Sequence, residues 1–187
     1  MTKYLEDLFA GQDYDKDSFF LIAGPCVVES EELVLEVAQK VSEICKKHRI
    51  PYIFKASYKK ANRTSATSFT GLGDEQGLSI IQKTGQKFSL PTTTDIHSEA
   101  EAHLAAKYVD VLQIPAFLCR QTELLIAAAH TGKIVNVKKG QFVSGEAMRF
   151  AVEKIRNAGN DKIMLTERGT TFGYQDLVVD YRNIPLM

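Results

Sequence analysis

The chain has 187 residues, 44% of them hydrophobic, with 23 basic and 23 acidic side chains and a formal net charge of zero. That composition supports one domain with a substantial core. Balanced charge argues against a nucleic-acid binder, and no apolar run approaches the ~20 residues of a membrane span.

The opening stretch, MTKYLEDLFAGQDYDKD, is polar and acidic without an apolar centre. It reads as a loose lead-in and not as a secretory signal. Cys26, Cys45 and Cys119 are an odd number of cysteines with no CxxC spacing, so free thiols in a reducing cytosol are expected.

Phe19 to Gly24 reads as a fully buried first strand ending at Gly24-Pro25-Cys26. Ser30 caps a helix through about His48, with Glu31 and Glu32 complementing its dipole. Leu33, Val37, Val41 and Ile44 recur at helical spacing on its apolar face. Pro51 stops the connection, and Tyr52–Ser57 is the second strand. A long loop follows through Thr70-Gly71-Leu72-Gly73. The next helix starts near Asp74, with Leu78 and Ile81 inward. Pro91–Ile96 is the third strand. Ser98 and Glu101 have capping-box spacing for a helix to about Tyr108. Val109–Pro115 is the fourth strand, Gln121–His130 a helix, and Ile134–Lys138 the fifth strand. Ser144 caps a helix with Met148, Val152 and Ile155 inward. Lys162–Thr166 is the sixth strand, and the loop Thr170–Tyr174 leads to Leu177-Val178-Val179. No hairpin signal is read anywhere in the chain.

Strands that alternate with amphipathic helices specify a parallel sheet with helices outside it. A doubly wound sheet and a barrel both satisfy that pattern. No GxGxxG follows the first strand, which weakens the dinucleotide-binding alternative. The strand ends favour a (β/α)8 TIM barrel, whose chemistry sits at the C-terminal ends of its strands. Here those ends carry Cys26, Lys55 with Lys60, Asp95 with His97, Gln113, Lys138 and Arg168. A complete barrel needs eight strands and about 250 residues. Six βα units are expected, forming a single barrel domain over residues 1–187 that is incomplete at its C-terminal side.

The stretch FKASYKKANRTS turns an apolar strand into a crowd of donors. Alone it is a solvated basic loop. Together with Lys138 and Arg168 from other strand ends, Lys55 and Lys60 point to anionic ligands, because ammonium and guanidinium groups make charge-assisted bonds to phosphate and carboxylate. Cys26 is a small hydrophobe, a nucleophile or a metal ligand; His97 is a donor, base, ligand or structural residue. Phe117 and Arg120, beyond the fourth strand, serve an interface or pack back on their own barrel. Cys45, His48, His103 and His130 read as structural.

The motifs AGPCVVES, FKASYKKANRTS, TTTDIH, LQIPAFLCRQT, NVKKGQF and LTERGTTFGY, in this order, resemble those of the 3-deoxy-D-manno-octulosonate 8-phosphate synthase family. The resemblance covers about Phe19 to Met187. It implies a barrel enzyme, commonly a cytoplasmic homotetramer, that condenses phosphoenolpyruvate with D-arabinose 5-phosphate and water. It places Lys55 and Lys60 at the phosphoenolpyruvate carboxylate and reacting centre, and Lys138 and Arg168 at its phosphate. Asn62, Arg63 and Thr64 fall in the loop for the sugar phosphate, where the family more often has serine at position 64, and Ser57 counts among the substrate-binding residues. Asp95, His97 and Gln113 match polar groups around the reacting carbons, with Lys60 and Asn62 among the catalytic set. Phe117 and Arg120 match residues that reach a neighbouring subunit. Cys26 matches the branch that uses a divalent ion such as iron, zinc or manganese. Of about four ligands expected for such an ion, only Cys26 is identified. The alternatives are the related synthase that takes erythrose 4-phosphate, which has a KPRTS-like loop where this chain has Lys60-Ala61-Asn62-Arg63, and an inactive phosphosugar-binding fragment.

Overall fold

The computed structural model describes residues 3–187. The main elements are α1 (Lys3–Leu8), β1 (Leu21–Ala23), α2 (Glu31–His48), β2 (Tyr52–Lys55), α3 (Asp74–Phe88), β3 (Thr92–Asp95), α4 (Glu99–Ala105), β4 (Val111–Ile114), α5 (Thr122–His130), β5 (Ile134–Lys138), α6 (Arg149–Asn157), β6 (Ile163–Thr166), β7 (Thr170–Phe172) and β8 (Asp176–Val178). Strands β1 to β6 form one sheet in chain order. Sequential parallel strands alternating with helices are the pattern of a (β/α) barrel, of which six units are present. The chain divides into two compact units. One runs to Thr94 and includes Tyr108–Asp110; the other comprises Asp95–Lys107 and Val111–Met187.

In the first unit, β1 pairs in parallel with β2, Leu21 opposite Tyr52 and Ala23 opposite Phe54. Ile53 and Phe54 are fully buried, as are Leu78 and Ile81 of α3. Ser30 caps α2: its Oγ accepts from the Leu33 amide at 3.2 Å. Three sequence expectations change here. β1 is short and only half-buried, and Phe19 is exposed, because β1 is the end strand of the sheet and has a neighbour on one side only. The buried face of α2 is Val34, Ala38, Ser42 and Cys45, one position on from the stripe read in the sequence, and Ile44 is 57% exposed. Small side chains at Ala38, Ser42 and Cys45 let the helix backbone approach its neighbours closely. The lead-in is also ordered. Tyr4, Leu5, Leu8 and Phe9 lie at helical spacing, and Phe9 is buried with its ring 5.0 Å from those of Tyr14 and Phe20. The Gln12 amide then donates to the Tyr52 carbonyl at 3.1 Å and accepts from the Tyr52 amide at 2.7 Å.

In the second unit, β4, β5 and β6 are parallel, with Val111 opposite Ile134 and Lys138 opposite Thr166. Val111, Leu112, Val135 and Val137 are fully buried, as strands covered on both faces should be. Ser98 caps α4, with its Oγ accepting from the Glu101 amide at 3.3 Å. Ser144 does not cap α6 directly: a 3₁₀ turn, Glu146–Met148, with Gly145 at its cap position leads into that helix, and Ser144 Oγ accepts from the Ala147 amide at 3.2 Å. Met148 and Ile155 are buried, whereas Val152 is half-buried. The segment read as a loop after Arg168 is an antiparallel hairpin of β7 and β8. Its signal was two short β-prone runs separated by three residues beginning with Gly173, whose φ of 68° suits glycine.

Candidate active site

In the first unit, the end of β1 meets the end of β2. Gly24 has a φ of 153°, and a Cβ there would lie 2.0 Å from the Lys55 carbonyl oxygen. That contact requires glycine. It leaves exposed Cys26 within reach of the loop after β2, where Lys60 Nζ donates to Cys26 Sγ at 2.7 Å. Lys55, the last residue of β2, donates to buried Ser57 Oγ at 2.9 Å. Lys59 pairs with Asp74 at the start of α3, 3.2 Å away, and ties the loop to that helix. Asn62, Arg63 and Thr64 are exposed. The Arg63 guanidinium donates to the carbonyls of Ala66 and Ser68 at 3.0 and 3.2 Å, which curls this loop on itself.

In the second unit, a line of polar side chains crosses the sheet. Thr166 Oγ1 donates to Asn136 Oδ1 at 2.8 Å, Asn136 Nδ2 to Gln113 Oε1 at 3.1 Å, and Gln113 Nε2 to Asp95 Oδ1 at 2.6 Å. Gln113 and Asn136 are buried. Asp95 and Gln113 were expected here; Asn136 and Thr166 were not. The available signal was the amide of Asn136 interrupting the otherwise apolar β5 run IVNV.

His97 follows β3. Its Nδ1 lies 3.0 Å from Glu101 Oε2, which also accepts from the His97 amide at 2.9 Å. The capping glutamate therefore holds the imidazole as well as the helix start. A histidine oriented by a carboxylate can serve as donor or base through its other nitrogen.

Lys138 ends β5. The next residue, Lys139, is fully buried, a position that sequence reasoning passed over as the second of two lysines. Arg168 lies between Glu167 and Gly169 after β6. Glu167, a potential counter-ion for Arg168, is committed elsewhere: it lies 3.4 Å from Lys139 Nζ and accepts from the Gly169 amide and from Asn183 Nδ2. Arg168 Nη1 is buried and has no hydrogen-bond partner among the described residues. A buried guanidinium donor without an acceptor is costly, and an anion would satisfy it.

Phe117 is 68% exposed and stacks on Phe142 with ring centroids 6.4 Å apart. Arg120 is exposed, and its carbonyl accepts from Lys154 Nζ at 3.1 Å. Among the described residues, no group of three or more histidine, cysteine, aspartate or glutamate side chains is placed to hold a metal ion.

Residues 3–187 match the model of the DAHP synthetase I family. The chain belongs to the DAHP synthetase I family. Several curated relatives are named 2-dehydro-3-deoxyphosphooctonate aldolase. The protein of Koribacter versatilis is 58% identical over 168 residues, covering 90% of this chain and 60% of the relative. That of Cyanothece sp. is 52% identical over 173 residues, covering 92% and 63%. An Arabidopsis thaliana protein of this name, numbered 2, is 52% identical over 171 residues, covering 91% and 59%. The chain thus spans about three fifths of the length of these relatives. Within the family, they place it beside the octulosonate 8-phosphate enzymes, as the motifs implied. None of its described helices is long and apolar enough to cross a membrane.

Proposed function

We propose that this chain takes part in the condensation of phosphoenolpyruvate with D-arabinose 5-phosphate and water to 3-deoxy-D-manno-octulosonate 8-phosphate and phosphate. The relatives' names support the reaction. The observation that carries the chemistry is the buried, unanswered Nη1 of Arg168, which calls for an oxyanion. In this reading Arg168 and Lys138 hold the phosphate of phosphoenolpyruvate, and Lys55 and Lys60 its carboxylate and reacting end. Asn62, Arg63 and Thr64 take the sugar phosphate, with Ser57 lining the substrate site.

C3 of phosphoenolpyruvate forms a bond to the aldehyde carbon, and the aldehyde oxygen takes up a proton. Water adds at C2, where positive charge develops, and loses a proton. Cleavage of the C2–O bond then releases phosphate. Lys60, Asn62, Asp95 and His97 are the groups assigned to these proton and charge movements, with Gln113 orienting Asp95. Most of the rate enhancement comes from positioning two anions that repel one another in water and from preorganised donors.

The resemblance attaches a divalent iron, zinc or manganese ion to Cys26. One thiol facing an ammonium does not fit such an ion, so no step is assigned to it. In this reading, following the resemblance, the protein works in the cytoplasm as a homotetramer, with Phe117 and Arg120 at a subunit contact.

The test is phosphate release from phosphoenolpyruvate with each of two sugars, alongside calorimetric binding. Turnover with arabinose 5-phosphate that falls sharply in Lys138→Ala supports the reading. Preference for erythrose 4-phosphate would assign the chain to the related synthase. Binding of phosphoenolpyruvate without turnover would make it a phosphosugar-binding module.

A further inference from the structure

Lys139 is the most deeply buried charged side chain of the second unit, with no solvent exposure. Five oxygens surround its Nζ: the carbonyls of Gly140 at 3.3 Å, Val143 at 3.2 Å and Gly169 at 3.1 Å, the Thr170 hydroxyl at 3.2 Å, and the Glu167 carboxylate at 3.4 Å. They belong to two segments, the turn after β5 and the stretch after β6. An ammonium has three protons, so it is shared among more acceptors than it can satisfy singly, which suits a hub between loops. Burying it is tolerable only because it is paired and hydrogen-bonded.

Arg168 lies inside this grip. Its predecessor Glu167 and its successor Gly169 are both bound to Lys139, and the Glu167 carboxylate also closes onto the Gly169 amide at 2.6 Å. The backbone on either side of Arg168 is therefore held, while Nη1 of its own guanidinium is buried without an acceptor. Held in this way, the guanidinium needs little reorganisation to receive an anion.

We infer that Lys139 is a positioning residue: it does not touch the substrate but locks the segment Glu167–Thr170 so that Arg168 presents a preorganised donor to the phosphate of phosphoenolpyruvate. This rests on the proposed role of Arg168. It adds that Lys138 and Lys139, adjacent in sequence, divide the labour, the first toward the ligand and the second toward the protein.

The experiment measures calorimetric binding of phosphoenolpyruvate and, separately, arabinose 5-phosphate to the chain and to Arg168→Ala, Lys139→Met and Thr170→Val, with thermal unfolding in parallel. Arg168→Ala is expected to weaken phosphoenolpyruvate about tenfold or more, as loss of a charge-assisted contact does. Lys139→Met should weaken it to a similar extent while arabinose 5-phosphate binding stays within about twofold, because only the Arg168 segment loses its support. Thr170→Val keeps side-chain volume and removes one acceptor, so it should give a smaller loss of the same selectivity. It carries the test if Lys139→Met does not fold. Unchanged phosphoenolpyruvate binding in the folded Lys139 and Thr170 variants overturns the inference and leaves the role of Arg168 standing. Equal loss of both ligands with a lower Tm also overturns it, since that marks general damage. If the unaltered chain binds no phosphoenolpyruvate, or Arg168→Ala binds as well as it does, the functional reading fails first and this inference with it.

Discussion

Asn136 Nδ2 donates to Gln113 Oε1 at 3.1 Å across the β4–β5 pair, and this bond sets the direction of a whole chain of side chains. Thr166 donates to the carbonyl end of Asn136, so the amide end of Asn136 must face Gln113. Gln113 then has its own amide end turned to Asp95 at 2.6 Å. A carboxylate is the acceptor such a chain ends on. Asp95 is thereby held as a hydrogen-bond acceptor by a residue two strands away.

Replacing Asn136 with alanine should remove the middle link and leave Gln113 Oε1 and Thr166 Oγ1 without those partners. The expected cost is about 1–3 kcal/mol, the usual penalty for orphaning buried polar groups. Urea unfolding checks it. A loss below a few tenths of a kcal/mol would show that the chain contributes nothing to stability.

Gly24→Ala should be more damaging than the size of a methyl group implies. The new Cβ would sit 2.0 Å from a backbone oxygen of β2, at a φ of 153° that alanine rarely adopts. The ends of β1 and β2 must part, and the Lys60–Cys26 contact should be lost with them. We expect destabilisation above about 1 kcal/mol. Equal stability of the two proteins would remove the argument.

Of the three thiols, Cys26 is exposed, whereas Cys45 and Cys119 are buried. Burial pushes the Cys45 thiol up, away from the reactive thiolate. A disulfide reagent should therefore titrate one thiol quickly in the native protein and three in denaturant. Cys26→Ala should abolish the fast phase. A fast phase that persists would place the accessible sulfur elsewhere.

Near the C-terminal end, the Arg182 side chain, followed by its backbone amide, holds Asp180 down to about 2 from an ordinary 3.8. A carboxyl depressed on folding adds stability that is complete above its unfolded value and fades as pH drops from about 4 toward 2. The pair is open to solvent, so the effect is small. Comparing acid unfolding of the chain and Asp180→Asn should show the two curves converge at the acid end and separate above pH 4. Parallel curves across that range would contradict the pairing.

Much of the fold was legible because the strands are short apolar runs between helix signals. β5 matches its sequence reading residue for residue, and Leu78 and Ile81 point inward as the helical period implied. The departures share a physical origin. The α2 stripe is rotated because burial there follows small side chains and not the largest apolar ones. The hairpin after Arg168 was hidden because its strands are only three residues long and exposed. At the site, residues at strand ends were visible as breaks in apolar runs. Glu101 and Lys139 were not, since a capping glutamate and the second lysine of a pair look like surface chemistry until burial is known.

Gln12 clasps the peptide groups of Tyr52 with both ends of its amide, across a sequence separation of 40. On a translating ribosome the clasp is made long before its target. The clasp can close only once the second strand has emerged, so on the ribosome this tie between the opening segment and β2 forms after α2 has been synthesised.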